Sequence, residues 1–140
     1  MVDKDTFIRD RVQAYFLSGD HNCAMSSLKI LAEHFRTPLA PQVVDAAQCV
    51  PGIAGRGETC GLVVGVLMFI GVWGAQNNYH RQALNSLARR VTNHVEHRFG
   101  SLCCQDLQRE SGCGPLAVEV LSTLIPVLTD GMTELQKRGG

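Results

Sequence analysis

Thr59-Cys60-Gly61-Leu62-Val63-Val64-Gly65-Val66-Leu67-Met68-Phe69-Ile70-Gly71-Val72-Trp73-Gly74-Ala75 is the stretch on which the fold turns. It is apolar at nearly every position, so neither the alternation of a half-buried strand nor the one-sided stripe of a surface helix describes it. A helix that is apolar all round belongs at the centre of a bundle. The pattern predicts a helix from Thr59 to about Val72, with Gly61 and Gly65 one above the other so that a neighbouring backbone packs close. A bilayer span needs about 20 apolar residues. The strongly apolar part, Cys60 to Ala75, holds 16, so a buried helix is expected and membrane insertion is not.

Working outward, the rest of the chain repeats apolar residues at helical spacing and carries almost no strand signal. Phe7, Val12, Tyr15 and Phe16 predict a first helix over Lys4–Leu17, closed by Ser18-Gly19-Asp20. Asn22 is an N-cap for a second helix that Thr37-Pro38 stops, and Pro41 opens a short third over Pro41–Gln48. Cys49 to Gly57, with three glycines and a proline, is a loop whose backbone can approach a site closely. Beyond the central helix, Asn77–Phe99 forms a long amphipathic helix and Ser101 begins a short segment. Pro115 opens a last helix to about Gln136 that Pro126 should kink. No repeat or linker interrupts this. The expected fold is all-α: a compact single domain over residues 1–140, a bundle of about six helices with a buried glycine-rich one at its centre.

Lys plus Arg number 13 and so do Asp plus Glu, with a sequence pI near 6.9. No net field draws such a chain to nucleic acid or to an anionic membrane. The opening MVDKDTFIRD lacks the apolar stretch of a secretory signal, so a cytoplasmic location is expected. In a reducing compartment, the six cysteines read as metal-binding or redox groups rather than disulfide staples.

Four of them fall at predicted helix N-termini. Cys23 follows Asn22, Cys60 follows the potential cap Thr59, Cys104 lies just after Ser101, and Cys113 precedes Pro115. The first turn of a helix exposes unpaired N–H groups and about half a positive charge, which favour thiolate over thiol. Cys49 and Cys103 lack that context and read as small core residues. His94 and His97 read as a solvated helix face, and a protonated His21 would lower the Cys23 pKa. There is no Cys-x-x-Cys and no phosphate-binding glycine motif.

Gly19-Asp20-His21-Asn22-Cys23-Ala24, Gly57-Glu58-Thr59-Cys60-Gly61-Leu62-Val63-Val64-Gly65, Phe99-Gly100-Ser101-Leu102-Cys103-Cys104 and Cys113, in this order, resemble the redox-active family named for its C_GCAxxG_C_C pattern. Leu62 departs from it, since the family has alanine after Cys-Gly. The resemblance implies an all-helical redox-active or metal-binding protein acting through Cys23, Cys60, Cys104 and Cys113. Gly57, Gly61 and Gly65 are candidate backbone contacts for a bound group. Three functions stay open at this level. The thiols pass reversibly between dithiol and disulfide, Cys60 as the core thiolate and a protein or small thiol as partner. Alternatively the same four cysteines hold an iron–sulfur cluster or another soft metal. The third is a helical interaction protein with core cysteines, whose apolar central helix a second copy would cover.

Overall fold

The computed structural model describes residues 3–138; Met1, Val2, Gly139 and Gly140 of the expected domain lie outside them. Among the described residues the protein is all-α, with no strand. The helices are α1 (Lys4–Val12), continued by a π-helical turn (Gln13–Leu17), α2 (Cys23–His34), α3 (Pro41–Asp45), α4 (Gly52–Gly55), α5 (Gly61–Gln76), α6 (Arg81–Phe99), α7 (Cys104–Leu107) and α8 (Cys113–Arg138). Five are long, and α3, α4 and α7 are about one turn each, where about six helices were expected.

The boundaries follow from capping. The Asp3 carboxylate accepts from the Thr6 N–H at 2.9 Å, and Asn22 Oδ1 accepts from the Met25 N–H at 2.9 Å. Gly100, with φ +86°, closes α6 in the left-handed conformation that glycine takes without strain. At the start of α8, Pro115 sits in the third position rather than the first, where a missing N–H still costs nothing. The helix runs unbroken through Pro126. Without an N–H there, the Ser122 carbonyl loses its helical donor, and the Lys4 ammonium donates to that oxygen instead at 3.1 Å.

The one-turn α4 was expected as loop. Its four residues have φ between +53° and +74°, so the turn is left-handed even at Ile53 and Ala54. A β-branched residue there stores on the order of 1–3 kcal/mol, which the surrounding contacts must supply. They include the Gly52 N–H donating to Thr59 O at 3.0 Å and the Glu58 N–H donating to Gly52 O at 3.1 Å.

Packing sets the helix directions. Gly61 of α5 lies against Cys23, Gly65 lies against Ala24 and Ser27, and Phe69 stacks on Phe35 at 5.4 Å. Helices α2 and α5 therefore run parallel. By contrast α1 is antiparallel to α2, with Arg11 paired to Glu33 at 2.8 Å and Phe7 near His34. Likewise α8 is antiparallel to α6, with Gly131 against Leu87 and His94 meeting Thr123 at 2.9 Å. Val63, Val66 and Phe69 of α5 are fully buried among Leu28, Leu31, Val91, Val120 and Leu124. Each of these contributes about 1.5–3 kcal/mol through burial.

One consequence decides the site. The N-termini of α2, α5 and α8, the C-termini of α1 and α6, and the whole of α7 gather at a single end of the bundle.

The glycine-rich α5 has 16 residues and is short for a bilayer. Among the described helices α8 is long and apolar enough to cross a membrane by length and composition, although half of its apolar window is buried inside the protein.

Candidate functional site: a pocket of four thiols

Each of the four cysteines occupies a helix start. Cys23, Cys104 and Cys113 are the first residues of α2, α7 and α8, and Cys60 is the N-cap of α5. The expected cap, Thr59, is engaged elsewhere: it forms an isolated antiparallel bridge with Cys103. The Cys60 N–H donates to Leu102 O at 2.8 Å and the Cys104 N–H donates to Glu58 O at 2.5 Å. Side chains alternate along extended backbone, so Cys60 and Cys104 project to one face of this pairing and Thr59 and Cys103 to the other. That alternation separates the vicinal cysteines: Cys104 turns inward and Cys103 is exposed.

Cys23, Cys60, Cys104 and Cys113 together line one small cavity of about 20 Å³, walled by Leu62, Leu107, Leu116, Gly61 and Gln108. Cys60 is 4% exposed, and the other three are half-buried. A Cβ on Gly61 would lie 2.3 Å from Cys23 Sγ, so glycine is what allows that sulfur to approach α5. Of the other predicted glycines, Gly57 has φ +76° and its carbonyl accepts from the Gln105 N–H at 3.0 Å. Gly65 sits a turn deeper, at the α2–α5 crossing, outside the cavity lining. Leu62, the departure from the family pattern, is buried in the cavity wall.

Cys23, Cys60 and Cys113 are not the stabilised thiolates that their helix positions predict. Burial first, and then the nearby Cys60, Cys113 and Cys104 sulfurs, push the Cys23 thiol up to about 12 against the opposing Ala24 N–H. Burial likewise raises Cys60, against N–H groups of Leu62 and Val63, with Cys104 and Cys113 adding to the rise. Cys113 is raised by burial and then by Cys104. Desolvation of a charge in an apolar pocket outweighs the partial charge of a helix end. All six cysteines are free thiols.

Several other expectations change. Cys49 and Cys103 are exposed, not core residues. His21 stacks on Tyr15 at 5.5 Å, and burial followed by the nearby Lys29 charge lowers its pKa, so it lends Cys23 no positive charge near neutral pH. His94 is half-buried and bonded to Thr123, while His97 stays exposed. Among the described residues no three Cys, His, Asp or Glu side chains are disposed to hold a metal ion. The four thiols as placed thus give no support to a metal or cluster ligand set. Gln108, whose amide donates to Cys104 Sγ at 3.9 Å, was missed from sequence; its i, i+4 spacing from Cys104 was the available signal.

Residues 21–125 match a family model described as "Putative redox-active protein (C_GCAxxG_C_C)". The chain belongs to the C_GCAxxG_C_C family. The match takes in all four pocket cysteines and leaves out α1. No curated protein and no solved structure matches this C_GCAxxG_C_C chain.

Proposed function

We propose that this C_GCAxxG_C_C protein performs reversible thiol–disulfide exchange at the pocket of Cys23, Cys60, Cys104 and Cys113. The observation that supports this most is the delivery of four thiols from four separate helices into one cavity of about 20 Å³. In the oxidising direction, one cluster thiol loses its proton to solvent and its sulfur attacks a partner's disulfide. The partner's S–S bond breaks, a mixed disulfide forms, and one partner thiolate leaves and is protonated. A second cluster thiol then attacks the mixed disulfide, which closes an internal disulfide and releases the second partner thiol. Two protein thiols and one disulfide become one protein disulfide and two thiols. The partner is a disulfide-bearing protein or a small disulfide.

Raised thiol pKa values have a consequence for this reaction. At neutral pH Cys23, Cys60 and Cys113 stay protonated, so the steps they take are slow and quicken as pH rises.

The test is a count of free thiols by titration under denaturing conditions, after anaerobic purification, mild oxidation with a small disulfide, and reduction. The oxidised protein is expected to lose two thiols and to regain them. Cys60→Ser should abolish the internal disulfide, whereas Cys49→Ser should leave it intact. A protein that never loses two thiols together, or equal effects of the two substitutions, would sink the reading.

A further inference from the structure

The four pocket thiols differ in how they can be reached and in what holds them. Cys60 is almost fully covered, and its sulfur faces backbone N–H groups inside the pocket. Cys23 is wedged against Gly61, itself packed on Pro51. Cys104 is half-buried at the start of the one-turn α7, in the loop region between α6 and α8. Among the described residues it is also the pocket thiol that receives a side-chain hydrogen bond, from the Gln108 amide at 3.9 Å. An amide N–H pointed at sulfur favours the thiolate and fixes its direction, and it does so without carrying a charge that burial would penalise.

We propose that Cys104 is the thiol that makes the first attack on the partner's disulfide, and that Gln108 is the positioning residue that holds its sulfur for that attack. This rests on the exchange reading above and names the residue where exchange begins. Cys104 Sγ gives up its proton to solvent, bonds to one sulfur of the disulfide, and the other sulfur leaves as thiolate. Cys60, the most buried of the four, then makes the second, internal attack.

The decisive experiment follows N-ethylmaleimide labelling of the reduced full chain cysteine by cysteine, by peptide mass spectrometry, between pH 6 and 10. Exposed Cys49 and Cys103 serve as internal references. Among the pocket thiols Cys104 should label first. In Gln108→Leu its rate at pH 7 should fall roughly threefold or more, and its pH–rate curve should move to higher pH, while the Cys113 rate stays constant. Gln108→Lys, which restores an N–H donor, should recover most of the rate. Circular dichroism confirms that each variant is folded. Faster labelling of Cys23, Cys60 or Cys113 would overturn the proposal. So would an unmoved Cys104 curve in a folded Gln108→Leu. Failure of the disulfide to form at all would remove the exchange reading, whereas the labelling order tests Cys104 and Gln108 separately.

Discussion

The two ends of this bundle are built from similar helix-to-loop transitions and carry opposite chemistry. At one end, α2, α5, α7 and α8 begin with their cysteines in a cavity of about 20 Å³. At the other, the turn Asn77–His80 and the last turns of α8 enclose a cavity of about 530 Å³. That roomier space contains no cysteine and is bordered by Tyr79 and by the exposed pair Arg90–Glu134. A groove of about 600 Å³ along α2 and α3 has no cysteine either. The two larger cavities hold no thiol, whereas the smallest gathers four. Left-handed non-glycine residues occur at both ends, Ile53 and Ala54 at the cysteine end and Arg36 and Asn78 at the other, but the large apolar side chains Leu17 and Ile53, 57% and 44% exposed, lie at the cysteine end.

The contrast can be broken most severely at the glycines. A Cβ on Gly65 would meet Ser27 Oγ at 1.9 Å and the Ala24 carbonyl oxygen at 2.4 Å. Backbone cannot swing aside as a side chain can, and the Ser27 hydroxyl would lose its bond to Leu62 O at 3.0 Å. Gly65→Ala should therefore cost about 3 kcal/mol in chemical denaturation. A loss under 1 kcal/mol would mean that the α2–α5 crossing is looser than described.

The pocket thiols should leave a mark on the pH dependence of stability. Cys23 is raised in the folded chain from an ordinary 9.0 to about 12, so the unfolded chain releases this proton first. Its contribution is complete below pH 9 and is lost as pH climbs toward 12. Screening at its partly open position reduces the expected loss to on the order of 2 kcal/mol. Cys23→Ala should flatten that limb relative to the wild type. An unchanged slope would show that Cys23 is solvated rather than buried.

The smallest effect is expected in the second half of α5. A Cβ on Gly71 meets nothing within 4 Å. Gly71→Ala should stabilise by up to about 1 kcal/mol, since glycine is the poorer helix former. Destabilisation would instead reveal a close neighbour on that exposed face. With Gly65→Ala it gives one substitution of opposite sign in the two halves of α5.

Much of this was legible in the chain. The all-round apolarity of α5 placed it at the centre, the Asn22 cap fixed the start of α2, and the interruption at Ser18-Gly19-Asp20 ended the first helix. The four site cysteines were recognisable because each stood beside a helix-start signal. Other features depended on contacts that no local pattern encodes. Cys49 and Cys103 are exposed because exposure depends on which face of a loop meets the core, and for Cys103 the Thr59–Cys103 bridge sets that. The left-handed turn at Ile53 carried no signal, since a β-branched residue adopts it only when surrounding bonds impose it.

The sequence by itself determined the helical class, the helix starts and the identity of the four thiols, because caps and apolar periodicity act over a few residues. The tertiary structure alone decided that those thiols share one pocket and that the Cys23, Cys60 and Cys113 pKa values rise. A thiol's ionisation depends on how much water remains around it and on which other sulfurs lie nearby, and both are set by helices distant in the chain.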